Sequence, residues 1–408
     1  MTRAVSFQQM RKMCRITAKA APVLALAFSI VASFPAAAQT FTTLYGFTGG
    51  TDGGYPFAGV ILDPQGNVYG TTYQGGDANC DANNPGLGCG TVFEVDSSGA
   101  FSIVYAFTST ADGYPWAGLI RDKSGNLYGT TLNTVFKISS SGAYSVLYTF
   151  SGGADGGDSR ANLVMDQAGN LYGTTMQGGD LNCVIDNTAG GCGVVFKLDP
   201  SGKETVLHTF HGPDGGYPAT GLTPDGQGNF YGTTSAGTGA AGAGTVFKLN
   251  PAGKFGIVHR FGGSTDGYEP EGSLIIDPQG NLYGTAVTGG GGSHYGTVYK
   301  IDKSGNETVL YAFTLKADGG LPYGNLVRDS AGNLYGTTEL GGDLPCHGDG
   351  CGVIYELSPS GVETVLHDFE ATPGELPQAG LVMAASGTLY GTTAGYESNF
   401  GSVFKFVP

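Results

Sequence analysis

Gly125-Asn-Leu-Tyr-Gly-Thr-Thr131 is one of seven near-copies of a single phrase, and its spacing decides how the chain is read. The tyrosines of the copies are Tyr69, Tyr128, Tyr172, Tyr231, Tyr283, Tyr335 and Tyr390, at steps of 59, 44, 59, 52, 52 and 55 residues. Self-similarity at such a period marks a solenoid, propeller or array in which each repeat is one supersecondary unit. Around the phrase, four short pieces rich in β-branched and aromatic residues recur, typified by Ala117–Asp122, Asn126–Thr131, Gly244–Leu249 and Glu204–Phe210. Each is bounded by Gly, Asp, Ser or Pro, as short strands are. No later stretch sustains a 3.6-residue apolar period, so the expected class is all-β.

The connections alternate between short and long. The first two strands are joined by Asp-x-x-Gly-Asn, as in Asp63–Asn67, Asp122–Asn126, Asp166–Asn170, Asp277–Asn281 and Asp329–Asn333, with Asp225–Asn229 keeping the ends of the pattern. The aspartate accepts backbone N–H bonds and the glycine supplies positive φ, which reads as a repeated hairpin turn. A calcium loop would need more oxygen ligands converging, so no metal is expected there. A second short turn follows the third strand, as in Asp199-Pro-Ser-Gly202. The long connections follow the second strand and the fourth, the latter opening on Asp52, Asp112, Asp155, Asp214, Asp266 and Asp318.

Seven units of four antiparallel strands predict a seven-bladed β-propeller. The phase of the chain predicts how it closes. A lone fourth-strand segment, Phe41–Phe47, precedes the first unit, and the last unit lacks a fourth strand, ending at Gly401–Phe406. The N-terminal strand is therefore expected to complete the last blade, hiding an edge that would otherwise fray.

Residues 1–38 read as an export signal and 39–408 as a single propeller domain. Arg3, Arg11, Lys12, Arg15 and Lys19 precede the apolar run Ala20 to Ala32, and Ala36-Ala37-Ala38 supplies a small-residue cleavage site. The run is short for a span and nothing later is long and apolar enough, so no transmembrane segment is expected. Removing 38 of 408 residues leaves 370, and removing five of 19 basic residues leaves 14 against 34 acids, a net charge of −20. So acidic a surface repels nucleic-acid phosphates and anionic lipids. The expected location is extracellular or periplasmic, after cleavage near Ala38. Six cysteines of this part fall in near pairs at one place in their repeats, Cys80 with Cys89, Cys183 with Cys192 and Cys346 with Cys351. Export favours disulfides, and without clustered histidines the pairs make a poor zinc set.

The units resemble the bacterial tandem repeats called GloVer repeats, found in exported proteins of varied anchoring. The resemblance rests on Gly125–Thr131, the following Gly-Gly (Gly178, Gly179), Gly244–Lys248 and Val206–Phe210, and covers nearly all of 39–408. It implies an exported repeat protein and carries over no reaction, cofactor or catalytic residue. Departures from the pattern are local: the second unit's long loop shrinks to Leu132-Asn133, and the fifth runs Gly289–His294 without cysteines.

When a propeller chain runs from inner to outer strand, the loops after the second and fourth strands share one face, here called the top. Function gathers on loops held by a rigid scaffold. The candidates for ligand binding there are Asp52, Tyr55, Asp112, Tyr114, Trp116, Asp214, Tyr217, Asp266, Tyr268 and Asp318. Aromatics beside carboxylates suit sugars, whose C–H faces stack and whose hydroxyls donate. The competing reading is that the aspartates cap turns and the Tyr-Pro pairs pack between blades. Trp116 is the least repeat-determined aromatic and the first to mutate. His208, His259 and His367 share a strand position that is tyrosine in other units (Tyr105, Tyr148, Tyr311), which points to packing; His294 and His347 lie in top loops near acids such as Asp343. The expected function is an exported, monomeric binding or surface-interaction propeller for an extracellular glycan or surface protein, with no cofactor. A polysaccharide hydrolase or lyase is the alternative, and would need two carboxylates across a bound sugar; a purely structural cell-surface protein is the third reading.

Overall fold

The computed structural model describes residues 39–408 apart from 186, 238–241, 251, 293, 343–345, 347, 372–373 and 397–398. The expected leader, and Asp343, His347 and Pro373, lie outside the described residues. Residues 39–408 form one compact unit. Its described residues form twenty-eight strands, numbered β1 to β28 in chain order and grouped as seven four-stranded antiparallel sheets.

The first blade shows how the sequence makes each sheet. β1 (Thr40–Gly46) belongs elsewhere; the blade itself is β2 (Ile61–Leu62), β3 (Val68–Thr72), β4 (Thr91–Val95) and β5 (Phe101–Ala106), paired in chain order. The hairpin between β2 and β3 is set by Asp63, whose Oδ1 accepts the amides of Gln65 and Asn67, both at 2.9 Å, while Oδ2 takes the Asn67 side-chain amide. Within β3 the glycine of the repeated phrase has a steric purpose. A Cβ on Gly70 would meet the Phe93 ring at 2.5 Å, and the same ring position closes on Gly129, Gly173, Gly232, Gly284, Gly336 and Gly391. Those rings (Phe93, Phe136, Phe196, Phe247, Tyr299, Tyr355 and Phe404) are fully buried. They form the heart of each blade's core.

The two threonines of the phrase bind different partners. The first reaches the next blade: Thr71 Oγ1 donates to the Ala117 carbonyl, Thr285 to Gly324 and Thr337 to Ala379, at 2.9–3.1 Å. The second stays within its blade, as in Thr72 with Thr91 at 2.8 Å. All are buried, so each lost bond would leave an unsatisfied carbonyl or hydroxyl. Every pairing of third and fourth strands carries a register shift, such as that between Val92 and Phe93. Bulges of this kind increase strand twist.

Closure follows the offset phase of the termini. The last sheet runs β26 (Val382–Met383), β27 (Leu389–Thr393), β28 (Ser402–Val407), β1, with Phe41 opposite Phe406 and Tyr45 opposite Val403. Thr392 Oγ1 then donates to the Ala58 carbonyl at 2.9 Å, joining the seventh blade to the first across 334 residues. Among the described residues, no helix is long and apolar enough to cross a membrane.

Candidate functional site

Each blade is entered through a residue held with left-handed backbone: Tyr55, Tyr114, Asp158, Tyr217, Glu269, Leu321 and Leu376, all at φ between 52° and 62°. Side chains other than glycine adopt that conformation at a cost of roughly 1–3 kcal/mol, so a framework must hold it. The preceding blade's long top loop does so. Carbonyls of Phe400, Cys89, Cys192, Ala243, Tyr295 and Cys351 accept the amides of Tyr55, Tyr114, Tyr217, Glu269, Leu321 and Leu376, at 2.7–3.2 Å. A buried proline, or Ser159 in the third blade, comes next, and the residue after it is turned toward the propeller axis.

That axial position carries seven different side chains: Phe57, Trp116, Arg160, Ala219, Glu271, Tyr323 and Gln378. All seven are half-buried, and all seven line one cavity of about 380 Å³ at the top end of the central channel. A second widening, toward the plain end, is lined by inner-strand residues such as Ile61, Ile276 and Met383.

The mouth has two unlike sides. On blades one and two, Trp116 stacks on Phe57 with centroids 4.5 Å apart and meets Tyr73 edge-on at 5.0 Å; Tyr73 also lies 5.3 Å from Tyr114. The Arg160 guanidinium sits 4.6 Å over the Trp116 ring and is held by Asp158 through two bonds of 2.8 and 2.9 Å. In a ring of seven, blades five and six lie across the axis from blade two, and they carry carboxylates. Burial pushes the Glu271 carboxyl up to about 7, reinforced by Glu269, opposed by Arg160 and raised again by Glu339. Burial also raises Glu339, against the Gln378 side-chain amide that donates to it at 2.7 Å. The Tyr323 phenol is raised by burial and then by Glu339, Glu271 and Glu269. Among the described residues no lysine or arginine forms an ion pair with these three glutamates.

Of the residues singled out from sequence, Trp116 lies in this mouth. The aspartates stand further out, and Asp52, Asp214, Asp266 and Asp318 are engaged by nearby strand and loop groups. Asp52 accepts from the Tyr45 phenol, the Thr48 amide and the Thr48 hydroxyl. Asp214 takes His208 Nε2 at 2.9 Å and the His211 amide, Asp266 the amides of Gly262 and Gly263, and Asp318 the Tyr311 phenol and the Thr314 amide. Asp112 turns one carboxylate oxygen into a buried space beside Tyr105 and Tyr144, whose phenols it helps to raise after burial itself. Tyr55, Tyr114 and Tyr217 occupy the left-handed position; the Tyr114 hydroxyl donates to Asp81 and that of Tyr217 to the Ile185 carbonyl. Tyr268 is one residue out of step with them. It bridges Thr288 as Gly54 bridges Gln74, and Glu269 takes the left-handed place. His208 and His367 stack on Phe255 and Phe41 of neighbouring outer strands. The three disulfides are Cys80–Cys89, Cys183–Cys192 and Cys346–Cys351, with Cα separations of 5.3–6.0 Å.

Sequence reasoning missed Phe57, Arg160, Glu271, Tyr323 and Gln378. The available signal was the column itself: the residue following the entrance proline, two before the Gly, Asn or Ser that precedes each inner strand.

A closed seven-bladed propeller with a differentiated top mouth is the class of molecule these features define. The chain belongs to the Gloeobacter/Verrucomicrobia repeat family, whose model matches residues 28–185 and 183–404. Among solved structures it is similar to virginiamycin B lyase from Staphylococcus aureus, with a TM-score of 0.61 at 14% identity over 91% of this chain and 99% of that one. It is also similar to the extracellular domains of a putative hybrid two-component system and a putative one-component system from B. thetaiotaomicron. Their TM-scores are 0.57 and 0.53 at 14% and 13% identity, covering 90% and 84% of this chain but only 41% and 37% of those chains. At these identities the likeness concerns the fold. No curated protein matches the chain.

Proposed function

We propose that this protein is an exported binding propeller whose ligand seats in the top mouth of the central channel, a glycan being the class that fits. One observation carries the reading: seven positions equivalent in backbone and burial carry seven different side chains, whereas the residues flanking them repeat. Packing alone would favour the same solution seven times. The Trp116–Phe57 pair offers an apolar rim for sugar C–H groups, and the carboxylates and Gln378 offer partners for hydroxyls. The extracellular setting of the two B. thetaiotaomicron neighbours, the three disulfides and the export-like leader support a role outside the cytoplasm. Cleavage near Ala38 is part of the proposal, and N-terminal sequencing of the secreted protein tests it.

The test of function is a glycan array on residues 39–408, followed by calorimetric titration of each hit. Trp116→Ala is expected to weaken binding by about 10- to 100-fold, as loss of a central aromatic does at other binding sites. Saturable binding that Trp116→Ala leaves unchanged sinks the assignment to the mouth. A hydrolase or lyase remains the second reading, favoured by Glu271 and Glu339, because raised carboxyls in a cleft mark candidate acids and bases. Release of new chain ends from a bound polysaccharide, abolished by Glu271→Gln, selects it over simple binding.

A further inference from the structure

The two sides of the mouth differ in charge as well as in shape. The aromatic side holds one cation, Arg160, and Asp158 neutralises it through a two-pronged contact while it lies over Trp116. The opposite side holds Glu269, Glu271 and Glu339 with no cation to answer them, only the neutral amide of Gln378. An aromatic surface facing uncompensated carboxylates matches a ligand that has an apolar face and a positive charge. A metal ion does not meet that description. Among the described residues, the one group of ligand atoms lying within 4.8 Å of one another is Cys346, Cys351 and Glu375, whose cysteines are bridged to each other. Anionic glycans do not meet it either, since the mouth and the −20 surface would both repel them.

We propose that the mouth takes an amine-bearing sugar, its C–H groups against the rim of the Phe57–Trp116 pair and its ammonium group held by Glu271 and Glu339. This rests on the glycan-binding reading above and narrows it. The groups facing Glu271 are Glu269, Glu339, Arg160 and Tyr323. Burial and the neighbouring Glu269, against the pull of Arg160, keep the proton on Glu271 up to about 7 in the free protein; an arriving ammonium displaces that proton. Binding therefore tightens as pH rises from about 5.5 to about 7, with up to one proton released per site.

The experiment is calorimetric titration of residues 39–408 with a glucosamine oligomer, its N-acetylated counterpart and a neutral glucose oligomer of the same linkage and length. Repeating it in buffers of different ionisation enthalpy counts protons. The glucosamine oligomer is expected to bind about tenfold tighter or more than the other two, as a charge-assisted contact provides, and to release a proton near pH 6. Glu271→Gln should erase the proton release and bring the glucosamine oligomer down to the affinity of its N-acetylated counterpart for the same variant; Glu339→Gln is the second variant, and the melting temperature of each reports folding. Equal affinity for all three oligomers overturns the amine assignment and leaves the glycan reading standing. No binding by any oligomer and no hit on the glycan array overturns both. Tight binding of the glucosamine oligomer that Trp116→Ala leaves intact, and that a lysine-rich peptide displaces, reduces it to attraction of a polycation by an acidic surface and also overturns the proposal.

Discussion

The second strand of each blade and the residue after each entrance proline lie within a few residues of one another in space, yet they follow opposite rules. Tyr-Gly-Thr-Thr is held nearly constant because most of it meets neighbours that repeat. In the first blade the glycine faces a buried ring, the first threonine a carbonyl of the next blade, and the second a threonine across its own. The axial residues from Phe57 to Gln378 face the channel, where no repeating neighbour constrains them. A repeated motif in such a fold thus reports what the scaffold needs, and the variable column beside it reports what the scaffold is free to offer.

Substitutions that cross this boundary test it. The largest effect is expected from Phe93→Ala, which empties the centre of the first blade and should cost about 3–5 kcal/mol in chemical unfolding. A cost below about 1 kcal/mol would show that blade one does not depend on its ring. Removing a loop staple comes next. Opening Cys80–Cys89, which closes a separation of nine residues, should cost about 2–3 kcal/mol by loop entropy. It should also loosen the mouth locally, because the Cys89 carbonyl holds the Tyr114 amide at 2.7 Å. Hydrogen exchange at Tyr114 and Trp116 measures this; protection unchanged on reduction would separate the loop from the site.

A smaller, pH-dependent effect is expected at the outer blade interfaces. Glu204, Glu307 and Glu363 each bury a carboxyl oxygen without a hydrogen-bond partner. Burial, then Asp155, Asp266 and Asp318 respectively, pushes them up to about 7. A carboxyl whose folded pKa lies above its unfolded one binds more protons folded than unfolded between the two values. Stability therefore falls as pH rises from about 4.5 to about 7 and levels off beyond. Asp122, Asp166, Asp277 and Asp329 are shifted down by hydrogen bonds that outweigh their burial, so they act in reverse and remove stability as pH falls below about 4. The melting temperature is thus expected to peak in mild acid, and Glu307→Gln to flatten the fall toward neutrality. A melting temperature that climbs steadily from pH 5 to 7 contradicts this. The smallest effect belongs to the mouth: Ala219→Ser should change stability by no more than about 0.5 kcal/mol, as substitutions outside packed or paired positions do.

Much of the scaffold was legible in the sequence because it is built from local rules. Asp63 and its equivalents state a hairpin in five residues, the cysteines pair within their own loops, and Phe41–Phe47 finds its place because the last blade lacks one strand. The mouth was legible only at Trp116. Its other members carry no shared chemistry, since an arginine, a glutamate and a glutamine in one column form no motif until the column is known. Anchoring the loops on their aspartates also hid the column. The Asp112 loop is one residue shorter than its fellows, and at Tyr268 the tyrosine has moved one place away from the proline.

The pairing of β1 with β28 sets the order of events in folding. β1 is the first described strand to be made and its partner is the last described, so the ring cannot shut until β28 has emerged. Six blades can form from near neighbours, at the speed that short loops allow; the seventh must recruit a strand far earlier in the chain, Phe41 pairing with Phe406 across 406 − 41 = 365 residues. Until then β1 and the first blade's flank present open hydrogen-bonding edges to whatever else is unfolded nearby. The same latch that closes the finished ring makes its assembly wait for β28.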